Sequence, residues 1–175
     1  MTAKEPVQVF DCAECMALNR ALTNAILALA KQDYEKCSHY FHGRYENLYI
    51  DQGRLPGMQR ITETACLQAA KRLLQPVSDL KMGFWLNIMN RGDITTLHSH
   101  DDDDEVLSAV YYVSVPEQAG IFRLYHNRQV YEQIPVEGRF VFFDPVLPHE
   151  VSEHQSETPR ISIGINFGLT NSDDE

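Results

Sequence analysis

Seven short β-forming runs crowd the second half of the chain, and they limit its fold more than any other feature. They are Phe84 to Met89, Thr95 to His100, Val106 to Val115, Gly120 to Tyr125, Gln129 to Gln133, Arg139 to Phe143 and Arg160 to Phe167. Turn-forming residues separate them: Asn90-Arg91-Gly92-Asp93, Pro116 to Gly120, Pro135-Val136-Glu137-Gly138 and Asp144-Pro145. Parallel strands need a crossover of a dozen or more residues between them, usually a helix. These breaks are too short for that, so the spacing predicts an antiparallel sandwich or barrel and not a βαβ fold.

The first half reads differently. Val7 to Phe10 is a short strand. Asp11 is a plausible N-cap for a helix from about Ala13 to Lys31, where Leu18, Leu22, Ile26 and Leu29 recur at helical spacing. From Asp33 to Tyr45 the chain is polar and aromatic without a clear period, and Gly43 breaks it. Asn47 to Ile50 is a second strand candidate. Met58 to Leu74 is a second helix, with Ile61, Ala65, Leu67, Ala70, Leu73 and Leu74 on its buried face and Gln75-Pro76 ending it. The order is α+β and mostly β, with the two N-terminal helices buttressing one outer face of the β-structure. At 175 residues the chain fits a single domain with its own core. Residues 1–80 form the helical buttress with short strands, 81–168 the β-core, and 169–175 a frayed tail.

Charge narrows the partners. A formal net charge of −10 argues against a nucleic-acid binder, which shows a basic face to phosphates. No segment approaches the run of about 20 apolar residues that a membrane span needs. Met1 to Phe10 has no basic region followed by an apolar one, so no signal peptide is expected, and a cytoplasmic location follows. The four cysteines (Cys12, Cys15, Cys37 and Cys66) are then expected as free thiols. Cys12-x-x-Cys15 has redox or zinc spacing; Cys37 with His39 and His42 would be the second pair that a zinc site needs.

The residues suited to chemistry gather around His98-Ser99-His100. In a strand, positions i and i+2 share a face, so both rings can look into one interior if the strand persists that far. His149 adds a third imidazole beside another strand. Such a set can bind a divalent first-row metal, and two His with one carboxylate suits non-haem iron(II). A carboxylate is at hand in Asp101-Asp102-Asp103-Asp104-Glu105, and His100-x-Asp102 gives an alternative register. Further on, alternation puts Arg160, Ser162, Gly164 and Asn166 on one face and Ile161, Ile163 and Ile165 on the other. An inward Arg is costly unless it meets an anion. With a hydroxyl two residues on, it is fit to grip a carboxylate.

From Phe84 to Gly168 the sequence resembles the Fe(II)- and 2-oxoglutarate-dependent oxygenases, specifically a bacterial and phage group. The residues that carry the resemblance are Trp85-Leu86-Asn87, Arg91-Gly92-Asp93, His98-x-His100, Ser108 to Val113, Gly138 to Phe143, Pro148-His149-Glu150-Val151 and Arg160-Ile161-Ser162. The resemblance implies a double-stranded β-helix (a cupin-like jelly-roll) whose mouth holds Fe(II), with 2-oxoglutarate as co-substrate and hydroxylation as the reaction. It gives His98 and His149 as metal ligands, Arg160 and Ser162 as the clamp on the far carboxylate of 2-oxoglutarate, and Tyr112 as a helper. Asn87 and Trp85 share a strand face that would line the co-substrate pocket.

In one place the sequence departs from that pattern. The family's second ligand is an Asp or Glu two residues after the first His, and here that place is His100. The ligand set is therefore His98, His100 and His149, or it includes His100 and Asp102, or His100 stands aside. A cupin-like three-histidine protein without 2-oxoglutarate chemistry is the alternative of a different class. The substrate would be a small molecule or a peptide, and the acidic run hints at a cationic one. His39 and His42 could flank its mouth. Tyr40 to Tyr49 could be a pocket wall or a homodimer interface. Arg44 stands among these aromatics with no assigned role, and His126 and His154 are expected at the surface.

Overall fold

The computed structural model describes residues 5–100 and 104–170. Among these described residues, eleven strands and three α-helices follow in chain order. They are β1 (Val7–Asp11), α1 (Ala13–Met16), α2 (Asn19–Leu27), β2 (Lys36–Phe41), β3 (Arg44–Tyr49), α3 (Met58–Leu73), β4 (Leu80–Met89), β5 (Thr95–His98), β6 (Leu107–Ser114), β7 (Phe122–His126), β8 (Gln129–Gln133), β9 (Arg139–Phe143), β10 (His149–Val151) and β11 (Arg160–Leu169). Seven strands form one sheet in the order β1-β9-β6-β11-β4-β3-β2, and four form a second in the order β5-β10-β7-β8. Every pairing is antiparallel. This is a jelly-roll with helices on one outer side, as the turn spacing and the resemblance implied.

The two-residue period of the central strands separates two cores. On β6, Leu107, Ala109, Tyr111 and Val113 enter a cluster with Leu22 and Ile26 of α2 and with Met58, Ile61, Ala65 and Ala69 of α3. Tyr112 instead packs with Phe122, Leu124, Val141 and Phe143 between the two sheets. On β11, Ile161, Ile163, Ile165 and Phe167 enter the helix-side core. Their alternates Arg160, Ser162, Gly164 and Asn166 line a cavity between the sheets. A strand buried on both faces loses its polar alternation. That explains why β6 reads as a nearly continuous apolar run.

Several expected elements are corrected. The helix expected over Ala13 to Lys31 is two shorter ones, α1 and α2. The Leu18 N–H turns back to the Cys15 carbonyl at 3.0 Å, a tighter i−3 bond that ends α1. The side chain of Asn19 is then spent on the sheet: it donates to the Tyr112 carbonyl at 3.2 Å and accepts from the Tyr111 hydroxyl at 2.7 Å. The N-cap is Cys12 and not Asp11; Asp11 pairs with Arg139 across the β1–β9 edge. The stretch without a period is β2, which turns into β3 through His42-Gly43. Both residues have positive φ (49° and 82°), the backbone of a two-residue hairpin loop. Three strands from the first half therefore extend the larger sheet. Strand β10 follows a bend too closely for its three residues to show a period.

Ile163 is fully buried in the middle of β11, facing the helices. Replacing Ile163 with Ala should cost about 2–5 kcal/mol through lost burial and the cavity left behind. Urea denaturation followed by circular dichroism measures this directly.

Candidate metal centre

Strands β5 and β10 set the centre, because their register places His98 directly opposite His149. The ring centroids of His98 and His149 are 4.3 Å apart, with His100 at 5.2 Å from the first and 5.3 Å from the second. One nitrogen from each ring lies within 4.8 Å of the other two, close enough for all three to ligate one ion. His100 reaches the group by a different route from the expected one. Strand β5 ends at His98, and the Pro145 carbonyl accepts from the His100 N–H at 2.9 Å, pulling the loop back over the mouth. Asp102, the other candidate ligand, lies outside the described residues.

The backbone orients the rings. His98 Nδ1 donates to the Thr96 carbonyl at 2.7 Å, and His149 Nδ1 donates to the Leu147 carbonyl at 2.8 Å. A carbonyl only accepts, so each neutral ring carries its proton on Nδ1 and presents a lone pair at Nε2. His100 Nδ1 lies 3.4 Å from a carboxylate oxygen of Glu105. The acidic run thus delivers Glu105 to the side of His100, a pairing that sequence spacing did not single out. Burial is the main force on the His149 imidazole: with the like charge of His98 added, it pushes the pKa down to about 3 from 6.5, and the Leu147 bond opposes this only in part. His149 is therefore held neutral, the form that binds a metal.

Behind the imidazoles the same cavity, of about 490 Å³, reaches Arg160, Ser162, Asn87 and Trp85. Arg160 is 1% exposed. Its Nη1 donates to Ser162 Oγ at 3.2 Å, and its guanidinium lies 5.2 Å from the centroid of the Tyr112 ring. Among the described residues no carboxylate pairs with Arg160, and its buried Nε finds no acceptor. Burial makes the charged form of Arg160 less favourable, which is the cost an incoming anion would relieve. Asn87 donates to the Glu46 carbonyl at 3.0 Å while its own buried Oδ1 lacks a donor. A cationic side chain with an orphaned N–H, a hydroxyl beside it and three imidazoles at the mouth fit a divalent metal together with a carboxylate ligand.

Two details shape the cavity. Gly164 pairs with Trp85 across β11 and β4, and a Cβ at Gly164 would stand 2.3 Å from the indole. Only glycine lets the indole lie flat over that strand. The outer wall is the β2–β3 hairpin, which contributes His39 and Phe41. Tyr40 and Tyr45 pack edge to face at 4.9 Å on the exposed part of the same hairpin.

Other expected residues fall elsewhere. His154 is not at the surface. It is fully buried, its ring Nε2 donates to the Thr158 carbonyl at 2.8 Å, and its backbone holds the Gly92-Asp93 turn through bonds of 2.8 and 2.9 Å. His126 ends β7 away from the cavity lining. Arg44 donates to the Ile94 carbonyl at 2.9 Å and so ties the hairpin to the approach of β5. Beside it Glu46 is buried on the same strand. Desolvation raises its carboxyl above the usual range, and Arg44 and then His98 oppose that rise. A buried carboxylate this close to the centre was missed from sequence; the alternation Arg44-x-Glu46 is its only signal. Among the described residues, Cys37 joins no metal-ligating group with His39 or His42.

The family model of the 2OG-Fe(II) oxygenase superfamily matches residues 84–168. A comparison with curated protein sequences finds no match. Among solved structures, the chain is similar to a Pseudomonas putida prolyl-4-hydroxylase at a TM-score of 0.70 and 18% identity, covering 95% of this chain and 89% of that one. It is similar to an oxidoreductase of the 2OG-Fe(II) oxygenase family from Burkholderia pseudomallei at 0.69 and 12%, covering 95% and 86%. A viral collagen prolyl hydroxylase from Paramecium Bursaria Chlorella virus-1, solved as a 2OG complex, gives 0.65 and 13%, covering 96% and 98%.

The depressed His149 sets a pH dependence. The unfolded histidine takes up a proton near pH 6.5 and the folded one only near 3. Between those values the unfolded state binds more protons, so stability is full above 6.5 and is lost as pH falls towards 3. The difference in urea midpoint between wild type and His149→Gln should shrink as pH is lowered from about 7 to about 5. A constant difference across that range would contradict a neutral buried His149.

Proposed function

Residues 84–168 belong to the 2OG-Fe(II) oxygenase superfamily, and from that premise we propose that the protein is a non-haem iron(II)- and 2-oxoglutarate-dependent dioxygenase that hydroxylates its substrate. The observation that carries this reading is the buried Arg160, without a carboxylate partner among the described residues, lining the same cavity as the three imidazoles. His98, His100 and His149 would hold iron(II) through their nitrogen lone pairs. Arg160 and Ser162 would grip the far carboxylate of 2-oxoglutarate, with Tyr112 beneath the guanidinium and Asn87 on the cavity wall.

When bound, iron(II) and 2-oxoglutarate supply the means to oxidise a substrate C–H bond with dioxygen, releasing succinate and carbon dioxide. The chain's own residues bind and orient. The Thr96 and Leu147 carbonyls fix the tautomers of His98 and His149. Glu105 steadies His100 from the loop. Trp85, Phe122 and Phe143 line the cavity with apolar surface that keeps water from the reacting groups. Three neutral ligands leave the full charge of the metal uncompensated, so the 2-oxoglutarate carboxylates meet a more positive centre than two histidines and a carboxylate would offer.

The substrate reaches the cavity past His39 and Phe41 of the β2–β3 hairpin, and a small molecule or a peptide side chain suits that opening. Among the described residues no helix is long and apolar enough to cross a membrane; a cytoplasmic location is part of the same proposal. A second reading is a cupin-like three-histidine metal protein without 2-oxoglutarate, favoured by His100 standing where a carboxylate is usual. Arg160 separates the two, since such a protein has no use for a buried clamp.

Anaerobic titration with iron(II) and 2-oxoglutarate tests this. The chelate should give a weak visible charge-transfer band in the wild type and none in His149→Ala. Arg160→Gln should keep the metal and bind 2-oxoglutarate about 10- to 100-fold more weakly, the value of a charge-assisted hydrogen-bonded contact. Equal affinity in Arg160→Gln and wild type would sink the clamp and leave the second reading.

A further inference from the structure

One pair of reactive side chains lies outside the cavity and has no part in the proposed reaction. Cys12 and Cys15 flank the first turn of α1, and their Sγ atoms are 2.6 Å apart. Several bonds fix that approach. The Cys12 N–H donates to the Gly138 carbonyl at 2.9 Å, and the Met16 N–H closes the turn on the Cys12 carbonyl at 2.9 Å. The Cys15 N–H donates to the Cys12 sulfur at 3.2 Å. Gly138 has φ 80°, and a Cβ there would stand 2.6 Å from Met16 Cβ, so the turn that holds Cys12 admits only glycine.

The two thiols differ in access. Cys12 is half-buried and lines a surface cavity of about 360 Å³ with Phe10, Glu14, Arg60 and Thr64. Cys15 is fully buried, within 3.6 Å of the Thr64 hydroxyl. Burial, and after it the contact with Cys12, push its thiol up to about 12. A zinc reading does not hold, because no third His, Cys, Asp or Glu joins the pair among the described residues. Cys66 and Cys37 lie apart; Cys66 contacts Met82.

We propose that Cys12 and Cys15 form a reversible dithiol–disulfide site that accepts low-molecular-weight disulfides. The half-buried Cys12, reached through its surface cavity, attacks as thiolate one sulfur of the incoming disulfide. A mixed disulfide forms and the first thiolate leaves. The Cys15 thiol then gives its proton to the departing thiolate and its sulfur attacks the Cys12 sulfur, forming the Cys12–Cys15 bond and releasing the second thiolate, which takes a proton from solvent. The protein loses two hydrogens and the small disulfide is reduced to two thiols. A cysteine pair in C-x-x-C spacing with one accessible member is the arrangement this exchange needs. Asp11, Glu14 and Glu63 rim the cavity and Arg60 is paired with Glu14, so an uncharged disulfide suits it better than an anionic one.

The site is separate from the metal centre. Cys15 belongs to the helix-side core with Tyr111, whereas Tyr112, the next residue, faces the other core beside Arg160.

To test this, the reduced protein is incubated with 2-hydroxyethyl disulfide, quenched in acid, treated with a maleimide and mapped by mass spectrometry. The expected product has a Cys12–Cys15 cross-link, no maleimide on either residue, and full recovery of both thiols on treatment with dithiothreitol. Maleimide on both residues after oxidation overturns the proposal, as does a stable mercaptoethanol adduct on Cys12 beside a maleimide-labelled Cys15. Cys15→Ala should stop at the mixed disulfide on Cys12, and Cys12→Ala should leave Cys15 without an adduct. An adduct on Cys15 in that variant overturns the assignment of Cys12 as the attacking thiol. The wild-type map does not depend on either variant folding.

Discussion

Strand β11 is the member on which the rest of the molecule depends. It pairs with β4 from Arg160 to Leu169 and with β6 from Ile161 to Phe167, so its backbone bonds are met on both sides. Its faces have opposite duties. Ile161, Ile163, Ile165 and Phe167 anchor the helix-side core, and Arg160, Ser162, Gly164 and Asn166 form the floor of the cavity. A shift of one residue in register would put four large apolar side chains into the cavity and a guanidinium among leucines and alanines. The energy that prevents it is large on both counts: apolar burial of about 1.5–3 kcal/mol per side chain, and several kcal/mol for an unpaired buried charge. The apolar face thereby fixes where the functional face points.

The same coupling holds the buried cation in place. Arg160 sits over Tyr112 and against Ser162, contacts that orient it without neutralising it. Surrounding strands are paired, so the guanidinium cannot withdraw to solvent. A fold dominated by cross-strand burial can carry an uncompensated charge of this kind, because the cost is spread over the stability of the whole sheet. The imidazoles are placed by a weaker device. β5 is a short edge strand and β10 beside it has three residues, and the loop carrying His100 is held by a backbone bond to Pro145 and by Glu105. The Arg160 end of the cavity is therefore the rigid one, and the end with the imidazoles is more easily reshaped.

Much of this was legible in the sequence where the period was undisturbed. The alternation of Arg160 to Asn166 named the cavity face residue by residue, and the β-runs with turn residues between them described the antiparallel sheets. Legibility failed where tertiary contacts overrode local pattern. The stretch from Ala13 to Lys31 reads as one helix, but the chain breaks at Ala17-Leu18 and α2 restarts at Asn19, whose side chain is held by the Tyr111 hydroxyl and the Tyr112 carbonyl. His154 reads as a surface residue because its neighbours are polar; it does lie in a loop, but that loop is bonded to the Gly92-Asp93 turn and the ring is fully buried. The β2–β3 hairpin carried no period because its aromatics face the cavity on one side and solvent on the other, so both faces look alike.

His100 shows why such a site resists reading by motif alone. Its spacing from His98 is the one that a strand would turn into a shared face, yet the strand ends at His98. The ring arrives through a loop whose course depends on a carbonyl forty-five residues later. The right grouping therefore follows from the wrong local structure. What makes the outcome robust is chemical: an imidazole carries two usable nitrogens, so a ring can be held by Nδ1 from one direction and still present Nε2 in another. His98 and His149 do this against carbonyls, and His100 against the Glu105 carboxylate. A carboxylate ligand at the same place would have to meet the metal and its own supporting donors through two equivalent oxygens. With a histidine there, the acidic residue Glu105 stands one step outward, against the ring of His100 and not among the three grouped imidazoles.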